Sequence, residues 1–112
     1  MSVEQLRSYA RRLGQEIEEE QRRILEKNHK MRLIEQQIRY AENNAQLARQ
    51  AGNYVMEQRY LSYIPGLRNQ LTQLRQEIAR EQARLDQLVS QLRRVEERLS
   101  LAAGRVYKRR TH

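Results

Sequence analysis

A chain of 112 residues that is 32% charged, 38% hydrophobic and free of Cys, Phe and Trp excludes disulfide and thiolate chemistry and a thick aromatic core. Its net charge of +8 is lopsided: residues 1–50 carry 10 basic and 8 acidic side chains (+2), and residues 51–112 carry 12 and 6 (+6). No run reaches the ~18–20 apolar residues of a membrane span, and Met1-Ser2-Val3-Glu4-Gln5 does not open a secretory signal. The composition fits long helices that each bury one narrow stripe, in a cytoplasmic protein with no membrane association.

The first helix starts at a capping box, Ser2 followed three residues later by Gln5. Its apolar residues then fall in steps of three and four: Leu6, Ala10, Leu13, Ile17, Ile24, Met31, Ile34, Ile38, Ala41, Ala45 and Ala48. Glu20 and Lys27 interrupt that stripe. Two breaks end it, Asn43-Asn44 or Ala51-Gly52-Asn53, since Gly and Asn both tolerate the left-handed conformation that closes helices. The spacing through Ala45 and Ala48 favours the later one.

A second helix is expected from Tyr54, with Met56, Tyr60, Ile64, Leu67, Leu71, Leu74 and Ile78 on its buried side. Pro65 either kinks this helix, at ~3 kcal/mol relative to Ala, or sits in the first turn of a new one. The stripe resumes as Leu85, Leu88, Leu92, Val95 and Leu99, with Glu81 where the next apolar residue belongs. Either the chain turns within 80–83, giving an antiparallel three-helix bundle, or one helix runs from about Gly66 to Ala103, giving a two-helix antiparallel hairpin. Gly104 is a reasonable stop. The expected layout is one helical domain over 1–104 and a basic tail over 105–112, where Arg105, Lys108, Arg109 and Arg110 supply +4.

No catalytic constellation stands out. His29 and His112 are the only histidines, and one His without Cys cannot assemble a zinc site. Glu18-Glu19-Glu20 reads as a solvated face compensated by Arg22 and Arg23, and no Gly-rich phosphate loop exists. A non-enzyme without cofactor or metal is therefore expected. Nucleic-acid binding draws support from 19 Arg against 3 Lys. Most of those Arg alternate with Glu at helical pair spacings, such as Glu77 with Arg80 and Glu81 with Arg84, which leaves the tail as the candidate contact. Tyr54, Tyr60 and Tyr63, with Arg59 and Arg68 around them, either cap the core or form a partner-binding patch.

The segment Tyr54–Ile78 resembles the central helix of tubulin-binding cofactor A, in which an aliphatic-Pro pair, here Ile64-Pro65, sits among apolar residues at helical spacing, here Met56, Leu71 and Ile78. Arg11-Arg12-Leu13-Gly14-Gln15-Glu16 resembles a basic-Leu-x-x-Glu element of that family's first helix, and Glu97-Arg98-Leu99 part of its third. The resemblance implies a three-helix chaperone that captures beta-tubulin before heterodimer assembly, cytoplasmic and cytoskeleton-associated. It implies contacts through helical faces around the proline, at Arg59, Tyr60, Tyr63, Arg68 and Gln70. Tyr60 also lies in the seam, which fits a core position. The seam after Pro65 is similar, in addition, to the coiled-coil stalk proteins of bacterial flagellar and type III export ATPases. Those are two-helix hairpins whose turn, like Gly52-Asn53, falls near mid-chain. A basic coiled-coil nucleic-acid binder is the third reading. A stripe this narrow is satisfied within one chain or between two, so monomer and homodimer both stay open.

Overall fold

The computed structural model describes the backbone of residues 1–111 and the side chains of residues 1–104. Those residues form three helices and no strand: α1 (Val3–Gln50), α2 (Tyr54–Ser62) and α3 (Ile64–Thr111). The fold is all-α, built on two long helices of 48 residues each.

Each boundary has a local chemical cause. At the start of α1, the Ser2 N–H donates to Gln5 Oε1 (2.9 Å) and the Gln5 N–H donates to Ser2 Oγ (3.1 Å). This reciprocal pair satisfies two donors that the first turn leaves open. Asn43-Asn44 does not interrupt α1, and Asn44 Nδ2 donates to the Tyr40 carbonyl (2.9 Å). The helix closes at Gly52, whose φ of 71° is the only positive φ among the described residues. There the Gly52 N–H donates to the Arg49 carbonyl (3.0 Å) and the Asn53 N–H reaches back to the Ala48 carbonyl (2.8 Å). That pair of bonds is the Schellman arrangement, and it needs a left-handed residue where Gly52 stands. Asn53 then opens α2, its Oδ1 accepting from the Met56 N–H (3.2 Å). The reversal therefore takes only Ala51, Gly52 and Asn53.

Pro65 falls in the first turn of α3, where its missing N–H matters least. The interruption between α2 and α3 is a single residue, Tyr63, still in the right-handed region (φ −79°, ψ −23°). Its N–H donates to the Tyr60 carbonyl (3.2 Å), and its own carbonyl accepts from the Leu67 N–H (3.4 Å).

No turn occurs within 80–83. α3 crosses that stretch unbroken, so the third helix of the expected bundle is the continuation of the second, and the two-helix alternative is the one these elements fit. The residues there, Arg80 to Ala83, are all good helix formers. A single charged residue in the stripe costs packing but does not stop a helix. Gly104 likewise lies inside α3. The side chains of the basic tail lie outside the described residues, and so does the tail's expected contact with nucleic acid.

The chain divides into two compact units. In the unit formed by Met1–Arg23 and Glu81–His112, Leu6, Leu13, Leu88 and Val95 make the core, with Tyr9, Ala10, Ile17, Leu92 and Leu99 packed against it. Leu6 shares a surface hollow with Leu101 and Ala102, whereas Glu20 pairs with Arg84, so the segments run antiparallel. In the unit Ile24–Arg80, the core is Ile34, Leu71 and Leu74, flanked by Met31, Ile38 and Leu67. Lys27 Nζ lies 3.4 Å from Glu77 Oε2, and Arg68 Nη2 lies 3.5 Å from Glu42 Oε1, which again fixes an antiparallel pairing.

One core residue is ionic. Glu20 is 1% exposed, while its neighbours Glu18 and Glu19 are both exposed. The solvated acidic face therefore does not extend to Glu20. Glu20 Oε2 accepts from Arg23 Nη1 (2.8 Å) and lies 3.5 Å from Arg84 Nε. Its Oε1 has no hydrogen-bond partner among the described residues. Arg84 thus turns to the opposing helix segment instead of serving only its own surface. Glu77 is paired with Lys27, and Arg80 Nε donates to the Gln76 carbonyl (3.5 Å).

Candidate partner-binding site

The second unit holds a largely apolar hollow of about 340 Å³. Tyr60 lines it from α2, Tyr63 from the interruption between the helices, Gly66, Leu67 and Gln70 from the first turns of α3, and Gln37, Tyr40 and Ala41 from α1. The hollow has a simple origin. Ala41 is buried in the seam and ends at its Cβ, and Gly66 has no side chain at all. A Cβ placed on Gly66 would meet nothing within 4 Å. Neither helix fills the space between them at this level. Tyr40, Tyr60 and Tyr63 stand around it as walls.

The one-residue interruption at Tyr63 helps to set the geometry. Tyr60 lies in the last turn of α2 and is half-buried, Tyr63 caps that helix and is exposed, and Ile64 returns to the core. Tyrosines in such positions offer an apolar ring for contact and a hydroxyl that stays wet. Gln37 and Gln70 add amide donors and acceptors at the rim. The arrangement suits capture of an apolar side chain from a partner. Among the described residues there is no group of three or more His, Cys, Asp or Glu that could hold a metal ion. No helix of the described residues is long and apolar enough to cross a membrane.

Of the five residues singled out around the proline, Tyr60, Tyr63 and Gln70 come together in the hollow. Arg68 does not line it. Its guanidinium turns to Glu42 across the helix pair, on a face shared with Ile38, Leu71 and Arg75. Arg59 is exposed, and its carbonyl accepts from Ser62 Oγ (2.6 Å). Tyr54 is also exposed and apart from the hollow. The contribution of α1, from Gln37, Tyr40 and Ala41, was invisible to motif reading, because it depends on which residues of the first helix stand opposite the proline. The turn at Gly52-Asn53 sets that register, and counting back from it reaches Tyr40 and Ala41.

At the level of class, fold and site define a paired-helix protein with a tyrosine-walled hollow near its turn. No protein-family model matches the chain, and no curated protein or solved structure matches it.

Proposed function

We propose that this chain is a non-catalytic, cytoplasmic coiled-coil stalk protein that engages a partner of the bacterial flagellar or type III export ATPase kind. The observation that carries the reading is the continuity of α3 from Ile64 to Thr111. A stalk needs two long helices held antiparallel by a regular apolar stripe, with a tight turn near mid-chain. Three- and four-residue spacing on both helices, with the turn at Gly52, meets that need. The hollow walled by Tyr40, Tyr60 and Tyr63 supplies an aromatic anchor point on the surface of the second unit. The test is co-elution of the full chain with a purified flagellar or type III export ATPase. Complex formation at low salt that weakens in a Tyr60→Ala, Tyr63→Ala double variant supports the reading, and absence of any complex at low salt overturns it.

A second reading, capture of beta-tubulin, is favoured by one specific observation. Three residues that the cofactor A resemblance picks out, Tyr60, Tyr63 and Gln70, share the hollow, and the chain's net charge of +8 complements an acidic partner. The continuous α3 counts against it, because the resemblance implies a third, antiparallel helix. Co-sedimentation of the chain with beta-tubulin at low salt decides between the two.

A further inference from the structure

Apolar side chains on α1 do not all face the core. Within the second unit, Leu25 (70% exposed), Leu33 (46%), Tyr40 (67%) and Leu47 (61%) stand open to solvent. Their spacing is eight, seven and seven residues. At ~100° per residue they fall within an arc of about 80°, nearly opposite the arc that holds Ile24, Met31, Ile34, Ile38, Ala41 and Ala45. Isolated exposed leucines need no explanation. Four large apolar residues in register along one face, over roughly 33 Å of helix, form an unpartnered second seam.

Repeats of seven are what a helix offers to another helix. The polar residues beside the stripe say which kind. Lys30, Arg32 and Arg39 flank it, against Glu26 as the acidic neighbour, and His29 lies on the stripe itself. Among the described residues none of Lys30, Arg32 and Arg39 takes part in an ion pair. The unit as a whole has nine basic side chains (Lys27, Lys30, Arg32, Arg39, Arg49, Arg59, Arg68, Arg75, Arg80) against five acidic ones (Glu26, Glu35, Glu42, Glu57, Glu77), a balance of +4. A second copy brought face to face would set basic flank against basic flank, which opposes self-association. An acidic flank would be matched.

We infer that the outer face of α1, through Leu25, Leu33, Tyr40 and Leu47, docks an amphipathic helix from a partner protein whose apolar seam is flanked by Glu or Asp. This surface is separate from the α1–α3 seam and stands whether or not the stalk reading does. Tyr40 belongs to both the stripe and the tyrosine-walled hollow, so it is left intact in the test.

The probe is a labelled synthetic peptide of about six helical turns, with Leu at the two seam positions of each heptad and Glu at the flanking positions. A control peptide carries Lys at those flanks. Binding to the full chain is read by fluorescence anisotropy at low and high salt. The Glu-flanked peptide is expected to bind, the Lys-flanked peptide not to bind, and affinity to fall by roughly tenfold or more (about 1.4 kcal/mol) in a Leu33→Gln, Leu47→Gln double variant. Both side chains are exposed, so the double variant keeps the wild-type circular dichroism and unfolding midpoint. Arg32→Glu with Arg39→Glu should reverse the preference between peptides. No binding of the Glu-flanked peptide, equal binding to the double variant, or a wild-type dimer that Leu33→Gln and Leu47→Gln dissociate would each overturn the inference, the last by naming a second copy as the occupant.

Discussion

Replacing Glu20 with leucine is expected to make this protein more stable, although it removes two ion pairs. Glu20 is 1% exposed, and one of its carboxylate oxygens has no hydrogen-bond partner among the described residues. A buried polar atom left unpaired costs roughly 1–3 kcal/mol. The two arginines that face it, Arg23 and Arg84, are both more than half exposed, so each pair is heavily screened and contributes about 0.2–1 kcal/mol. A leucine side chain at the same seam position gains ~1.5–3 kcal/mol of apolar burial. The difference favours the Glu20→Leu variant by an amount on the order of 1–4 kcal/mol, the range found when buried ion pairs give way to apolar side chains. Urea unfolding followed by circular dichroism reads this as a higher midpoint at unchanged slope, about 1 M higher for a slope of ~1–3 kcal/mol/M. Hydrogen exchange localises it, since Glu20 belongs to the unit of residues 1–23 and 81–112, and protection should rise there first. Glu20→Gln separates charge from shape and should lie close to the wild type. A Glu20→Leu variant that unfolds at lower urea than the wild type would refute the reasoning, because it would mean the two arginine contacts outweigh both burial and desolvation.

Three further substitutions test the local chemistry of the turn and the hollow. Gly52→Ala forces a Cβ into the left-handed region at φ 71° and should lower stability by about 1–2 kcal/mol, measured by the same urea titration. Asn53→Ala removes the acceptor for the Met56 N–H and should cost ~1 kcal/mol, whereas Asn53→Gly should cost only a few tenths. Gly66→Ala meets no neighbouring atom and replaces a helical glycine. It should stabilise the chain by about 0.5–1 kcal/mol while narrowing the hollow, so a partner held there should bind more weakly to a protein that melts later.

The parts of this fold that were legible in the sequence are those whose causes are local. Ser2 and Gln5 satisfy each other within one turn, and Gly52 and Asn53 close one helix and open the next with bonds spanning at most five residues. The continuity of α3 was less legible. Glu81 breaks the apolar stripe, and sequence alone does not say whether a broken stripe marks a turn or a tolerated defect. Burial of Glu20 was partly hidden for a related reason: it belongs both to the run Glu18-Glu19-Glu20, which reads as surface, and to the seam that counts through Leu13 and Ile17. The seam membership decides, because the opposing helix segment covers that position whatever its charge. Arg68 illustrates the opposite failure. Its place beside the proline pointed to the site, but a long side chain follows the nearest carboxylate, and Glu42 lies on another face.

The hollow and the outer stripe both follow from how a chain this polar spends its few large apolar residues. Its seam uses up most of the large aliphatic residues, and at Ala41 it has only a methyl group to offer. A narrow seam is stable enough where leucines pack together, as around Leu13 and Leu88, but it leaves space where Ala41 and Gly66 line the same hollow. That space would be a defect if it were sealed, because its lining would lose contacts that water cannot replace. It is not sealed: tyrosines stand around it with their hydroxyls free to stay hydrated, so the unfilled volume is carried at little cost. The same economy of apolar residues makes the outer row of Leu25, Leu33, Tyr40 and Leu47 hard to read as waste. A chain with so few large side chains sets four of them, in register, on the face of α1 that its own fold does not cover.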